Sequence, residues 1–203
     1  MLDKIIEEQQ YQNQDFTQQP LPTAEYDNCV FSNCTFANSD LSNCSFLECQ
    51  FEQCNLSNAM LAKTAFKTVD FKQCKMMGLS FPDCNNFLLE MDFEECQLDF
   101  SSFYQLNLKK TMFKNCSLQE VDFTETNLNE SVLANCNVKR ATFHFTNLEK
   151  ADLRTAVHYT IDPESNSLKK ARFALQGLPG LLEKFENIHN FLGISWKKIG
   201  IVL

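Results

Sequence analysis

The sequence predicts an all-β solenoid, a chain that turns a corner every five residues. Three observations predict it. An apolar residue occupies every fifth position from Tyr26 to Phe81, and again from Leu88 to Leu153, without an exception. A step of five suits neither a helix, where the stripe drifts by roughly 140° per repeat, nor a straight strand, whose side chains alternate faces. The place two residues before each apolar centre is mostly small or apolar, and it holds all ten cysteines if the first register is extended to Cys84.

The elements follow in chain order. Residues 1–23 lack a clean repeat, although Tyr11, Phe16 and Leu21 keep its phase, so an N-terminal cap or partly ordered segment is expected there. Residues 24–157 are the repeat proper. Each centre and the residue two before it share one face of a short extended segment and point inward. The places between carry Asn, Ser, Asp, Glu, Lys and Gln and face water. The register slips by two residues at 82–87, within "FPDCNNFL". The rhythm is expected to stop near Ala156, and "HYTIDPESNSLKKARF" reads as a turn-rich crossing.

Residues 158–203 are expected to cap the rod, because a solenoid exposes apolar edges at its ends. A helix is predicted near 179–192, with Pro179 in its first turn and Gly193 past its end. Leu181, Leu182, Phe185, Ile188 and Leu192 keep helical spacing on one face. That tail carries more apolar surface than one coil end needs, which predicts a homodimer rather than a lid alone.

The pattern small–polar–[Leu/Phe]–polar–polar, as in "CSFLECQFEQCNL" and "SLQEVDFTETNLNES", resembles the pentapeptide-repeat proteins. The resemblance covers roughly residues 24–157. It implies a right-handed quadrilateral parallel β-helix, with four pentapeptides per 20-residue coil. Residues 20 apart then stack. The expected core ladders are Phe31–Phe51–Phe71, Phe103–Phe123–Phe143 and Leu108–Leu128–Leu148. At ~4.8 Å between strands, the repeat gives a rod ~30 Å long. The tail "IDPESNSLKKARFALQGLPGLLEKF" is similar to that of pentapeptide-repeat proteins related to the Qnr and McbG group, which implies end-to-end pairing through the C-terminal helix.

Stacking also groups the inward cysteines into Cys34–Cys54–Cys74 and Cys96–Cys116–Cys136. Buried free Cys behaves as a small apolar side chain beside a bulky centre. A metal or redox role is the lesser alternative. The spacing C-x₄-C sends consecutive thiols to different sides of the square, whereas zinc needs four converging ligands. No metal or other cofactor is expected.

No catalytic constellation stands out. His144, His158 and His189 lack a Cys or carboxylate at triad or ligand spacing. The chain reads as a non-enzyme. The start "MLDKIIEEQQ" has acidic residues where a secretory leader needs an apolar run, and no apolar stretch is long enough to span a membrane. A cytoplasmic protein with reduced thiols is expected.

The net charge of −8 argues against direct contact with nucleic acid, whose phosphates need a basic surface. The densest acidic stretch places Glu90, Asp92, Glu94, Glu95 and Asp99 as a candidate contact for a basic partner. The leading functional expectation is a protein–protein interaction scaffold. The alternative, implied by the resemblance, is an acidic mimic of DNA that binds a type II topoisomerase (gyrase or topoisomerase IV), with quinolone resistance as a consequence. The longer loops that accompany quinolone protection in Qnr proteins are absent, and Lys109, Lys110, Lys114, Lys139 and Arg140 interrupt the acidic surface.

Overall fold

The computed structural model describes residues 4–184. The chain winds as a right-handed, four-sided parallel β-solenoid. Its strands are short: β1 (Ile5–Glu7), β2 (Gln10–Gln12), β3 (Glu25–Asp27), β4 (Val30–Ser32), β5 (Ser45–Leu47), β6 (Gln50–Glu52) and β7 (Ala65–Lys67). They continue as β8 (Val69–Lys72), β9 (Met91–Glu94), β10 (Met112–Lys114), β11 (Val132–Ala134), β12 (Asp152–Leu153) and β13 (Arg172–Phe173). Strands β1, β3, β5 and β7 form one parallel sheet, here face 1. The other nine form face 2, a ladder ~38 Å long at ~4.8 Å per strand. Faces 3 and 4 are held by single parallel bridges 20 residues apart, such as Thr35↔Asn55 and Asp122↔Thr142.

Four columns of side chains fill the interior. On face 2, Phe31, Phe51 and Phe71 stack with ring centroids 4.7 and 5.1 Å apart. Phe93 and Phe113 continue that column beyond the slip. Phe103, Phe123 and Phe143 stack on face 4 at 5.5 and 5.3 Å. Leu108, Leu128 and Leu148 are buried beneath face 1. Rings of neighbouring columns meet edge-on, as Phe93 and Phe103 do. Such pairs contribute about 0.5–1.5 kcal/mol each beyond the burial itself.

The corners explain a second regularity. The residue two places after most centres has φ near +55°, as in Asn28, Asn33, Asn43, Asn115 and Asn135. Asn enters this left-handed region more readily than most side chains. This accounts for the recurring "NC" pair, with Asn at the corner and Cys just inside it.

Three features depart from expectation. The first register persists through Asn85, which pairs with Ala65, and the second begins at Met91, which pairs with Val69. The two extra residues therefore lie within 86–90, not 82–87. Leu88 is not an inward centre: it turns the corner at φ 58° and is exposed, while Leu89 packs against the core instead. Nor does the rhythm stop near Ala156. His158 and Pro163 hide its phase, but Leu168, Phe173 and Leu178 are buried at the same five-residue step, and β13 pairs with β12. At the other end β1 and β2 already pair with the coil above them.

The described part of the C-terminal helix is α1 (Pro179–Leu182), with Leu181 and Leu182 buried. Phe185, Ile188, Leu192 and His189 lie outside the described residues. The segment packs closely on the last coil. A Cβ at Gly180 would sit 1.9 Å from the Tyr159 carbonyl oxygen, so only glycine fits.

Candidate interaction surface

A packed interior leaves the outside to do the work. Three places per repeat face outward: the residues just before and just after the centre, and the corner residue that follows. Stacking repeats each place every coil, so the surface is a set of columns along the rod.

All ten cysteines are free and buried. Their place serves more than packing. The side chain two before a centre donates to the carbonyl of a centre one coil earlier. Thr64, Thr126 and Thr146 hydroxyls reach Leu41, Phe103 and Phe123 oxygens at 2.8 Å each. Ser101 does the same to Met76 at 2.8 Å. Cys54 and Cys74 Sγ lie 3.2 Å from the Phe31 and Phe51 oxygens, and Cys34, Cys96, Cys116 and Cys136 follow the pattern. Cys, Ser and Thr share this position because each is small and each donates. Burial pushes the Cys49 and Cys84 thiols up to about 12. Among the described residues no three His, Cys, Asp or Glu side chains converge as metal ligands. His158 Nδ1 lies 3.0 Å from Asn137 Oδ1, and the His144 ring lies against Phe145.

The five carboxylates of the acidic stretch do not converge. Asp92 and Glu94 stand on face 2, Asp99 on face 3, and Glu90 and Glu95 flank the corners between. Each is already engaged along the rod. Glu90 accepts from Thr68 Oγ1 at 3.2 Å, and Asp92 accepts the Met112 N–H at 2.7 Å. Glu94 pairs with Lys114, which holds its carboxyl below the usual range. Glu95 accepts from Gln73 Nε2 at 2.7 Å, and Asp99 accepts from Ser117 Oγ and the Gln119 N–H.

Only Glu94 of the five has an ion-pair partner, since the other four accept from neutral donors. Residues 1–60 contain nine Asp or Glu and one Lys, whereas residues 106–203 contain ten Asp or Glu and 13 Lys or Arg. Every ion pair among the described residues falls between Glu94 and Lys184. The first three coils therefore carry acidic side chains without ion-pair partners there. Counting charge along the whole chain reveals this gradient; a search for the densest local cluster passes over it.

Polar ladders tie the remaining columns. Asn127 and Asn147 donate to Asn107 and Asn127 at 2.8 and 3.0 Å on face 1. Gln53 donates to Gln73 at the corner that follows face 2. No helix among the described residues is long and apolar enough to cross a membrane.

Comparison with known proteins agrees with this architecture. A family model described as a pentapeptide repeat region matches residues 21–86, 44–123 and 87–173. No curated protein matches the chain. Among solved structures, it is similar to QnrB1, described as a plasmid-mediated fluoroquinolone resistance protein, with 18% identity and a TM-score of 0.43 over 89% of this chain and 98% of that one. It is also similar to HetL of the cyanobacterium Nostoc, involved in heterocyst differentiation regulation, at 14% identity and a TM-score of 0.47, covering 86% and 88% of the two chains.

Proposed function

The chain belongs to the pentapeptide-repeat family, and from that premise we propose that it is a non-enzymatic scaffold that binds another protein along a flat outer face. The observation that carries this reading is the filled interior. Four side-chain columns occupy the section of the rod from Phe16 to Phe173, leaving ordered columns of outward side chains as the variable surface. Ten free thiols suit a reducing compartment, so we place the protein in the cytoplasm. The test is photo-cross-linking in cells from one site on each face: Lys67, Glu52, Ser57 and Ser42. A scaffold gives cross-links to one protein concentrated on one or two adjacent sites. Equal or absent labelling at all four sites contradicts it.

The acidic first coils favour a second reading, in which the rod occupies the DNA-binding groove of a type II topoisomerase. Carboxylates would take the place of phosphates, steered by long-range attraction. A gyrase supercoiling assay at two salt concentrations decides this. Inhibition that weakens as salt rises supports it. Full supercoiling at micromolar protein in low salt removes it.

A further inference from the structure

Face 1 carries its charge in a self-complementary order. Early coils present Asp27 and Glu48, and late coils present Lys150 and Lys169. The four-stranded sheet ends at β7, where the bulge at 86–88 leaves Phe87 and Leu88 exposed at 68% and 66%. Next to that bulge, Leu47, Leu88 and Leu89 line a shallow groove with Lys67 and Lys109. Two coils before the bulge, Ser45 Oγ is buried on this face without a hydrogen-bond partner.

We propose that face 1 binds face 1 of a second copy, with the rods antiparallel. The two-fold axis passes between the coil at 85–90 and the coil at 107–110. An isologous contact of this kind sets each column of one copy against the same column of the other, run in reverse. Asp27 then meets the mate's Lys169, one place after their centres. Glu48 meets the mate's Lys150 at the corner. Lys67 stands beside the mate's Glu130, and Glu90, which lies over Thr68 in the corner column, opposite the mate's Lys110. The column just before the centres is small or amide from Ser45 to Ser167, with Glu25 set against the mate's Ser167. It sets Ser45 against the mate's Asn147. Ala65 faces Asn127, and Asn85 faces Asn107. Phe87 falls on the aliphatic stems of the mate's Lys109 and Lys110.

Shifting the axis by half a coil onto 85–90 sets Lys67 against Lys109 and Glu48 against Glu130, and shifting it the other way, onto 107–110, pairs Lys67 with Glu149 and Glu48 with Lys170 but brings Lys109 and Lys110 against themselves. Face 1 has an internal pair of its own, Lys150 with Glu130 at 2.8 Å, as face 2 has Glu94 with Lys114, and the mate's Glu48 joins that pair at the corner. The contact spans about eight coils, roughly 38 Å by 12 Å, or on the order of 900 Å² in total, below the range of stable interfaces and within that of weak, transient ones. Ion pairs at such a rim are screened by salt. The dimer is therefore weak and salt-sensitive. It is independent of which partner the other faces bind.

Sedimentation velocity of the full chain tests this. The parent is expected to be dimeric in low salt and monomeric in high salt. The double variant Asp27→Lys, Glu48→Lys and the double variant Lys150→Glu, Lys169→Glu should each lose self-association by roughly tenfold or more. Mixed in equal amounts, they should form a heterodimer, because every reversed charge then meets its opposite. A dimer joined through the C-terminal tail would leave both variants associated. That result, a parent that is monomeric in low salt, or a mixture that fails to pair overturns the proposal. Melting by circular dichroism establishes that the variants fold. If a double variant does not, the single changes Asp27→Lys and Lys169→Glu carry the same test.

Discussion

The buried carbonyl of a centre needs a donor, and a small inward residue of the next coil supplies it. Thr126 bonds Phe103 and Thr146 bonds Phe123, both at 2.8 Å. Replacing Thr126 by Val keeps the volume and removes the donor, and should cost about 1–3 kcal/mol in urea unfolding. Ser at that place should recover most of it. An equal loss for Val and Ser would place the energy in packing instead. The thiols make a second prediction, through pH. Burial raises Cys49 and Cys84 from 9.0 to about 12, so the folded state holds them neutral while the unfolded chain releases their protons. Their contribution is complete below pH 9 and is lost as pH rises from there toward 12. Each such thiol removes about 1.4 kcal/mol per pH unit in that window. Thermal melts should be flat from pH 6 to 8 and fall steeply above 9; no alkaline fall contradicts the burial. At this scale the sequence shows which places are small, since size repeats every five residues. It hides the donor role, because Cys alone reads as a hydrophobe and only the Thr and Ser at the same place reveal the hydrogen bond.

Each coil rests only on its neighbours, so damage is local and its cost depends on the neighbours lost. Phe51 stacks between Phe31 and Phe71 and touches Phe36 and Phe46 edge-on. Phe51→Ala should destabilise by about 3–5 kcal/mol, the usual cost of removing a buried ring. Gly180→Ala forces a methyl into the Tyr159 carbonyl and should cost about 1–3 kcal/mol, by lifting the α1 segment from the last coil. An unchanged melting temperature for Gly180→Ala would mean that this cap does not seal the rod. The central coils are legible from sequence because their centres are uniformly Phe, Leu, Met or Val. The ends are not. His158 and Pro163 fall where the five-residue phase would put centres, and Tyr159 and Ile161 are buried in their stead, so the apolar rhythm breaks although the winding continues to Phe173. The bulge at 86–90 is misplaced by a few residues for a related reason: Leu88 is apolar and in phase, yet strand pairing, which a sequence pattern does not show, leaves it outside.

The whole molecule is a closed rod with a charge gradient along it and its chemistry confined to the surface. The gradient follows from the positions of Asp, Glu, Lys and Arg, but its meaning depends on which columns stack. Glu94 and Asp99 look available in sequence and are engaged in the fold, while Asp27 and Glu48 attract no notice in sequence and stand without ion-pair partners among the described residues. The most direct test of the closed rod is thiol accessibility. Titration of the native protein with an aromatic disulfide reagent should label almost none of the ten cysteines within minutes, and all ten after unfolding in guanidinium. Rapid labelling of several thiols in the native state would mean that the interior is open to solvent and that function need not be confined to the faces.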